Sequence, residues 1–200
     1  ILWLTDQLDA VNEELELIYQ FNKTSSFEPD FSDKITFTIT GLNEDGTKAA
    51  KINFFSGERN VPVSPVLSTT LNPIFKIFLQ GDVYEMNRLT DPRGEASERW
   101  RYFQKRIKLA LASSAHVADV TFDFGGKGYS GKSVVLRPYL EDPNRRNFPE
   151  LSKKKYLFLV SENLPGYLYK IETIVPGPKN KPALIKEILS LSEIRVLHTP

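Results

Sequence analysis

From residue 14 to 22 the chain alternates. Leu15, Leu17, Tyr19 and Phe21 are interleaved with Glu16, Ile18, Gln20 and Asn22. A period of two puts successive side chains on opposite faces, and it predicts a strand. Upstream, Thr5 is placed to cap a short helix over 6–13, with Asp6 and Asp9 near its positive end. Residues 22–33 (NKTSSFEPDFSD) are polar and rich in turn formers, and predict a loop. Alternation returns over 34–40, with Ile35, Phe37 and Ile39 on one face. Asn43-Glu44-Asp45-Gly46 reads as a hairpin turn and 48–55 as the returning strand. Residues 57–70, broken by Pro62 and Pro65, are expected to be irregular.

The period then changes. Asn72-Pro73 has the form of a helix cap followed by a first-turn proline. Ile74, Phe75, Phe78, Leu79, Met86 and Leu89 fit a helix over 73–89, with a weak point at Gly81. A second helix is expected from Ser97 to about residue 113. Trp100, Phe103, Ile107 and Ala110 share its apolar face, and Arg101, Lys105 and Lys108 share another. Strand patterns follow at 117–124, 133–139, 156–160, 167–175 and 184–191, with a loop over 176–182. Strands and helices do not alternate regularly. The order predicts one α+β domain over 1–200 with a largely antiparallel, curved sheet of seven to eight strands. That sheet packs against two central helices and the short N-terminal helix.

Composition narrows the function classes. The 26 basic and 25 acidic residues nearly cancel, leaving no global field to attract nucleic acid. No apolar run approaches the roughly 18 residues of a membrane span. With no cysteine, thiolate nucleophiles, disulfides and iron–sulfur ligation are excluded. The chain opens Ile1-Leu2-Trp3-Leu4 without Met. Together these lead us to expect an exported, periplasmic or envelope protein, with the cytoplasm as the alternative.

One stretch matches a known chemistry. Residues 126–133, Gly126-Lys-Gly-Tyr-Ser-Gly131-Lys132-Ser133, satisfy the G-x-x-x-x-G-K-[ST] spacing of phosphate-binding loops. Such a loop must run into a helix whose free N–H groups face the phosphates. Here Val134, Val135 and Pro138 follow, which oppose a helix and favour a strand. A glycine-rich hairpin over 124–132 accounts for the same residues. Nucleotide binding through Gly126, Gly131, Lys132 and Ser133 is therefore the alternative reading.

Other candidates are weaker. His116 and His198 lack the surroundings of a serine hydrolase triad, and no G-x-S-x-G occurs. Glu28, Asp30 and Asp33 crowd one loop without calcium-site spacing. Arg145-Arg146 and Lys153-Lys154-Lys155 read as solvated basic runs before a buried strand. No metal or cofactor site is expected. The element order is broadly similar to that of periplasmic carriers of lipid-modified proteins, which wrap a curved antiparallel sheet around helices. It is an analogy of architecture, without a shared motif. The leading expectation is a non-enzymatic binding domain for a hydrophobic ligand or a protein partner. Phe75, Phe78, Trp100 and Phe103 are expected to line the space between helices and sheet. A structural, envelope-assembly role without a small ligand is the remaining alternative.

Overall fold

The computed structural model describes residues 5–91, 93 and 98–197. Nine strands form one open antiparallel sheet: β1 (Leu15–Ser25), β2 (Phe31–Leu42), β3 (Lys48–Phe54), β4 (Val66–Thr69), β5 (His116–Phe124), β6 (Lys127–Leu136), β7 (Lys155–Val160), β8 (Leu168–Val175) and β9 (Ile185–Val196). Their order is β4-β3-β2-β1-β9-β8-β7-β6-β5. The first strand therefore pairs with the last, and the sheet joins both halves of the chain. Two helices, α1 (Ile74–Thr90) and α2 (Trp100–Ser113), lie between β4 and β5 in sequence.

The architecture is the expected α+β sheet, with nine strands instead of seven or eight. The additional strand is β4. It pairs with β3 only through Lys48↔Thr69 and Ala50↔Val66, too briefly to leave a period in the sequence. Residues 6–13 form turns, not the expected helix. Long-range bonds replace helical ones here. The Gln7 N–H donates to Thr70 O at 2.8 Å, and Gln7 Oε1 accepts the Asn72 N–H at 2.6 Å. The polar stretch 22–33 is not all loop. Asn22 to Ser25 continue β1 against β9, and β2 begins at Phe31.

Alternation built the inner face. Leu17, Tyr19 and Phe21 on β1 stand opposite Phe37, Ile35 and Asp33 on β2. Further along, Phe158 on β7 pairs with Val134 on β6 and Ile171 on β8. The helices cover this face. Phe75 lies 6.1 Å from the Phe158 ring and Phe78 lies 6.4 Å from Phe21. Asn72 caps α1 as its sequence suggests, Oδ1 accepting the Ile74 N–H at 3.1 Å. The same side chain donates to Gly166 O at 2.9 Å, tying the helix start to the β7–β8 connection. The interior is filled with aromatic side chains, among them Tyr19, Tyr139, Tyr156, Phe37, Phe75 and Phe103. Fully burying each such ring contributes about 1.5–3 kcal/mol.

Candidate functional site: an interhelical groove over a buried ion cluster

A strongly apolar concavity lies between the helices. Leu71 and Pro73, just before α1, contribute to its lining. Leu79 and Val83 form the α1 wall, and Ile107 and Leu111 form the α2 wall. The volume is about 420 Å³. On each helix the lining residues recur at intervals of three or four, so each wall is a single stripe: Lys76, Leu79, Gln80 and Val83, then Gln104, Ile107, Lys108 and Leu111. Across it, Gln104 Nε2 donates to Gln80 Oε1 at 3.1 Å. No residue of the central strands lines this groove.

The four aromatics singled out by sequence lie elsewhere. Phe75 and Phe103 are fully buried. Phe103 meets Tyr139 and Phe148 edge-on, each at 5.5 Å, and seats α2. Phe78 borders a smaller pocket of about 160 Å³ with Phe21, Phe31 and Phe55. Trp100, half-buried at the start of α2, packs edge-on against Tyr84 at 5.6 Å. Phe75 and Phe103 thus fill the interior, and none of the four reaches the groove.

Beneath α1 sits a feature the sequence did not suggest. Lys154, read as part of a solvated run, is 1% exposed and bonds to the equally buried Asp82 of α1. Its Nζ also lies 3.8 Å from Glu187 on β9. Asp82 accepts a further bond from the Tyr156 hydroxyl at 2.6 Å, and Glu187 accepts one from Thr173 at 2.8 Å. Next to it Lys23 on β1 donates to both oxygens of Glu85 at 2.7 Å, and it meets Glu28 at 2.5 Å. Burial works against the Lys154 charge, but Asp82, then Glu187 and Glu85, outweigh it and raise its pKa. Burial, with Glu187 close by, raises the Glu85 carboxyl. Glu187 is pulled the other way: burial is outweighed by Lys154 and Lys23, and its pKa falls. The cluster ties α1 to β1, β7 and β9 through directional contacts. Among the described residues, no three His, Cys, Asp or Glu side chains are arranged to hold a metal.

The phosphate-loop spacing has a different structural meaning. Only Gly125 and Gly126 form the turn, both with positive φ (59° and 75°), as a two-residue hairpin requires. Gly128, Gly131, Lys132 and Ser133 are in strand β6, so the helix that a phosphate loop needs after Lys132 is absent. Gly131 is small for another reason: a Cβ there would sit 2.1 Å from the Val160 carbonyl oxygen of β7. Lys132 pairs with Asp119 directly across the hairpin.

Of the other candidates, His116 is exposed at the start of β5, and His198 lies outside the described residues, as does Ser97. The three crowded carboxylates separate. Glu28 joins the Lys23 cluster, Asp30 accepts the Ser25 N–H at 3.0 Å, and Asp33 accepts the Ser56 hydroxyl at 2.9 Å. No described helix is long and apolar enough to cross a membrane.

No protein-family profile and no curated protein sequence matches the chain. Among solved structures, the lipoprotein LppX of Mycobacterium tuberculosis is 9% identical over 97% of this chain and 93% of that one, with a TM-score of 0.36. LprF of Mycobacterium bovis is 11% identical over 97% and 91%, with a TM-score of 0.35. A LolA superfamily protein of Nitrosomonas europaea is 9% identical over 97% and 92%, with a TM-score of 0.24.

Proposed function

We propose that this chain is a non-enzymatic, exported binding domain that holds a hydrophobic ligand in the α1–α2 groove. The observation that carries the reading is the groove itself, about 420 Å³ with Leu71, Pro73, Leu79, Val83, Ile107 and Leu111 as its apolar surface. Apolar concavities with a few placed polar groups are the usual form of small-molecule sites. Phe75 and Phe78 support this surface from below by packing α1 onto the sheet, and Phe103 seats α2 against Tyr139 and Phe148 of the β6–β7 connection. Export is consistent with a chain that has no cysteine to protect from an oxidising compartment.

The test is uptake of the uncharged fluorescent probe N-phenyl-1-naphthylamine. The wild-type protein should bind it with a rise in emission. Leu79→Trp and Leu111→Trp place an indole in the groove at half-buried positions and should each weaken binding about tenfold, the equivalent of about 1.4 kcal/mol. Absence of uptake, or uptake indifferent to both substitutions, would defeat the reading.

A protein partner is favoured by a separate observation, the open sheet edge at β4, where Leu67 is 80% exposed. Uncovered edges are templates for strand addition. A pull-down lost on Leu67→Lys would move the function from the groove to that edge.

A further inference from the structure

The groove has a charge of its own. Helix α2 carries Arg101, Lys105, Arg106 and Lys108 and no acidic residue, in a chain whose formal net charge is only +1. Arg106 is matched by the buried Asp142 at 2.8 Å, and Arg101 by Glu98. Lys105 and Lys108 of α2 and Lys76 of α1 have no carboxylate within ion-pair distance among the described residues. The two acids of α1, Asp82 and Glu85, are committed to the cluster beneath the helix. Lys76 and Lys108 are exposed and line the groove from opposite walls. The groove also contains an unused donor. Gln80 accepts from Gln104, but its own buried Nε2 finds no acceptor among the described residues.

We propose that the occupant of the groove is an anionic amphiphile. Its chain lies along Leu79, Ile107 and Leu111, and its phosphate or carboxylate is held between Lys76 and Lys108. This inference rests on the groove being the binding site. Lysine suits the role because its ammonium is a compact, flexible point charge that needs no planar partner. A cationic head would meet the same two ammonium groups and be repelled.

The experiment displaces bound N-phenyl-1-naphthylamine with three dodecyl amphiphiles kept below their micelle concentrations. They are dodecyl phosphate, uncharged dodecyl maltoside and dodecyltrimethylammonium. Inorganic phosphate is the fourth competitor. Dodecyl phosphate should compete about tenfold better than the maltoside, the effect of two partly screened charge contacts. The cation should be the weakest of the three. The preference should shrink between about 0.1 M and about 1 M salt, as the screening length falls from ~10 Å to ~3 Å. Lys76→Glu with Lys108→Glu should abolish or invert it, read as the ratio of dodecyl phosphate to maltoside competition so that any change in probe affinity cancels. Equal competition by all three amphiphiles, or a preference that survives the double substitution, would overturn the anionic assignment while the groove reading stands. Inorganic phosphate competing as well as dodecyl phosphate would make this a site for a free anion and would also overturn it. A probe that never binds removes the groove reading itself.

Discussion

Replacing Lys154 by methionine tests whether α1 is seated by buried ions. Lys154 and Asp82 are each 1% exposed, and Glu187 is 3.8 Å from the lysine nitrogen. At an effective dielectric near 20, two charges about 4 Å apart attract by about 4 kcal/mol before desolvation is counted. Methionine keeps most of the length of the side chain and removes the charge, leaving Asp82 and Glu187 buried without it. Removing one member of a buried pair costs about 3–5 kcal/mol. That is a large part of a typical total of about 5–15 kcal/mol. In urea, with a slope of about 2 kcal/mol/M, the midpoint should fall by about 2 M. The double variant Lys154→Met, Asp82→Asn should recover at least half of the loss, because the stranded carboxylate is gone. The pH dependence has a definite sign. Asp82 is raised in the native protein, by burial first, against the pull of Lys154, with Glu187 adding to the rise. Without Lys154 it rises further above its unfolded value of about 4. Between the two values the folded state binds more protons, so stability is gained as pH falls and lost as pH rises through the folded pKa. The single variant should therefore become more stable as pH drops from about 8 towards about 5. If it does not fold at neutral pH, the double variant and refolding at the lower pH carry the comparison. A loss under about 1 kcal/mol with a flat pH profile would mean that water reaches the cluster and that α1 is not held as described.

Two further outcomes follow from packing. Gly131→Ala should destabilise by about 1–3 kcal/mol in urea, because its methyl would meet the Val160 carbonyl oxygen. Gly128→Ala, whose nearest neighbour would be Asp123 Oδ1 at 3.8 Å, should change stability far less; equal effects would contradict the strand geometry of β6. Phe103→Ala removes the ring that holds α2 against Tyr139 and Phe148, and it should cost about 3–5 kcal/mol by thermal unfolding. A loss below about 1 kcal/mol would mean the site is not packed as described.

Much of the sheet was legible because its inner face is written in single residues. Ile35, Phe37 and Ile39 alternate with Thr36 and Thr38, and the chain needed no distant information to become a strand. Asn72-Pro73 announced α1, and the residues that follow Ser133 argued correctly against a helix. The ion cluster was illegible for a physical reason. A lysine in a sequence reads as solvated because burying an unpaired charge is prohibitive. The partner that permits it, Asp82, is 72 residues away from Lys154, and Glu85 is 62 residues from Lys23. The end of β1 read as a loop because 22–33 is polar and rich in turn formers, although Asn22 to Ser25 pair with β9. The groove was hidden by a different rule. Aromatic content drew attention to Phe75 and Phe103, yet the largest rings are the ones a core buries first. The open surface was left to Leu79 and Leu111, ordinary aliphatic residues whose meeting depends on how two helices pack.

The two helices are fastened by different means, and this bears on how the groove could admit a ligand. Under α1, Asp82 and Glu85 are bound to Lys154, just before β7, and to Lys23 on β1, and displacing the helix would strand charges on both sides. Charge pairs of this kind tolerate little displacement. α2 has one such pair, the partly exposed Arg106 with Asp142, where α1 has two, and it is otherwise held by ring contacts of Phe103 and the Tyr102–Asp142 bond. Aromatic edges can slide by fractions of an ångström at small cost, because dispersion is spread over many weak contacts. The direct hydrogen bond across the groove, from Gln104 to Gln80, is between two neutral amides, worth about 0.5–1.5 kcal/mol net. Widening the groove by shifting α2 therefore costs less than shifting α1. A ligand that replaced the Gln104–Gln80 bond with contacts of its own would recover that cost within the groove.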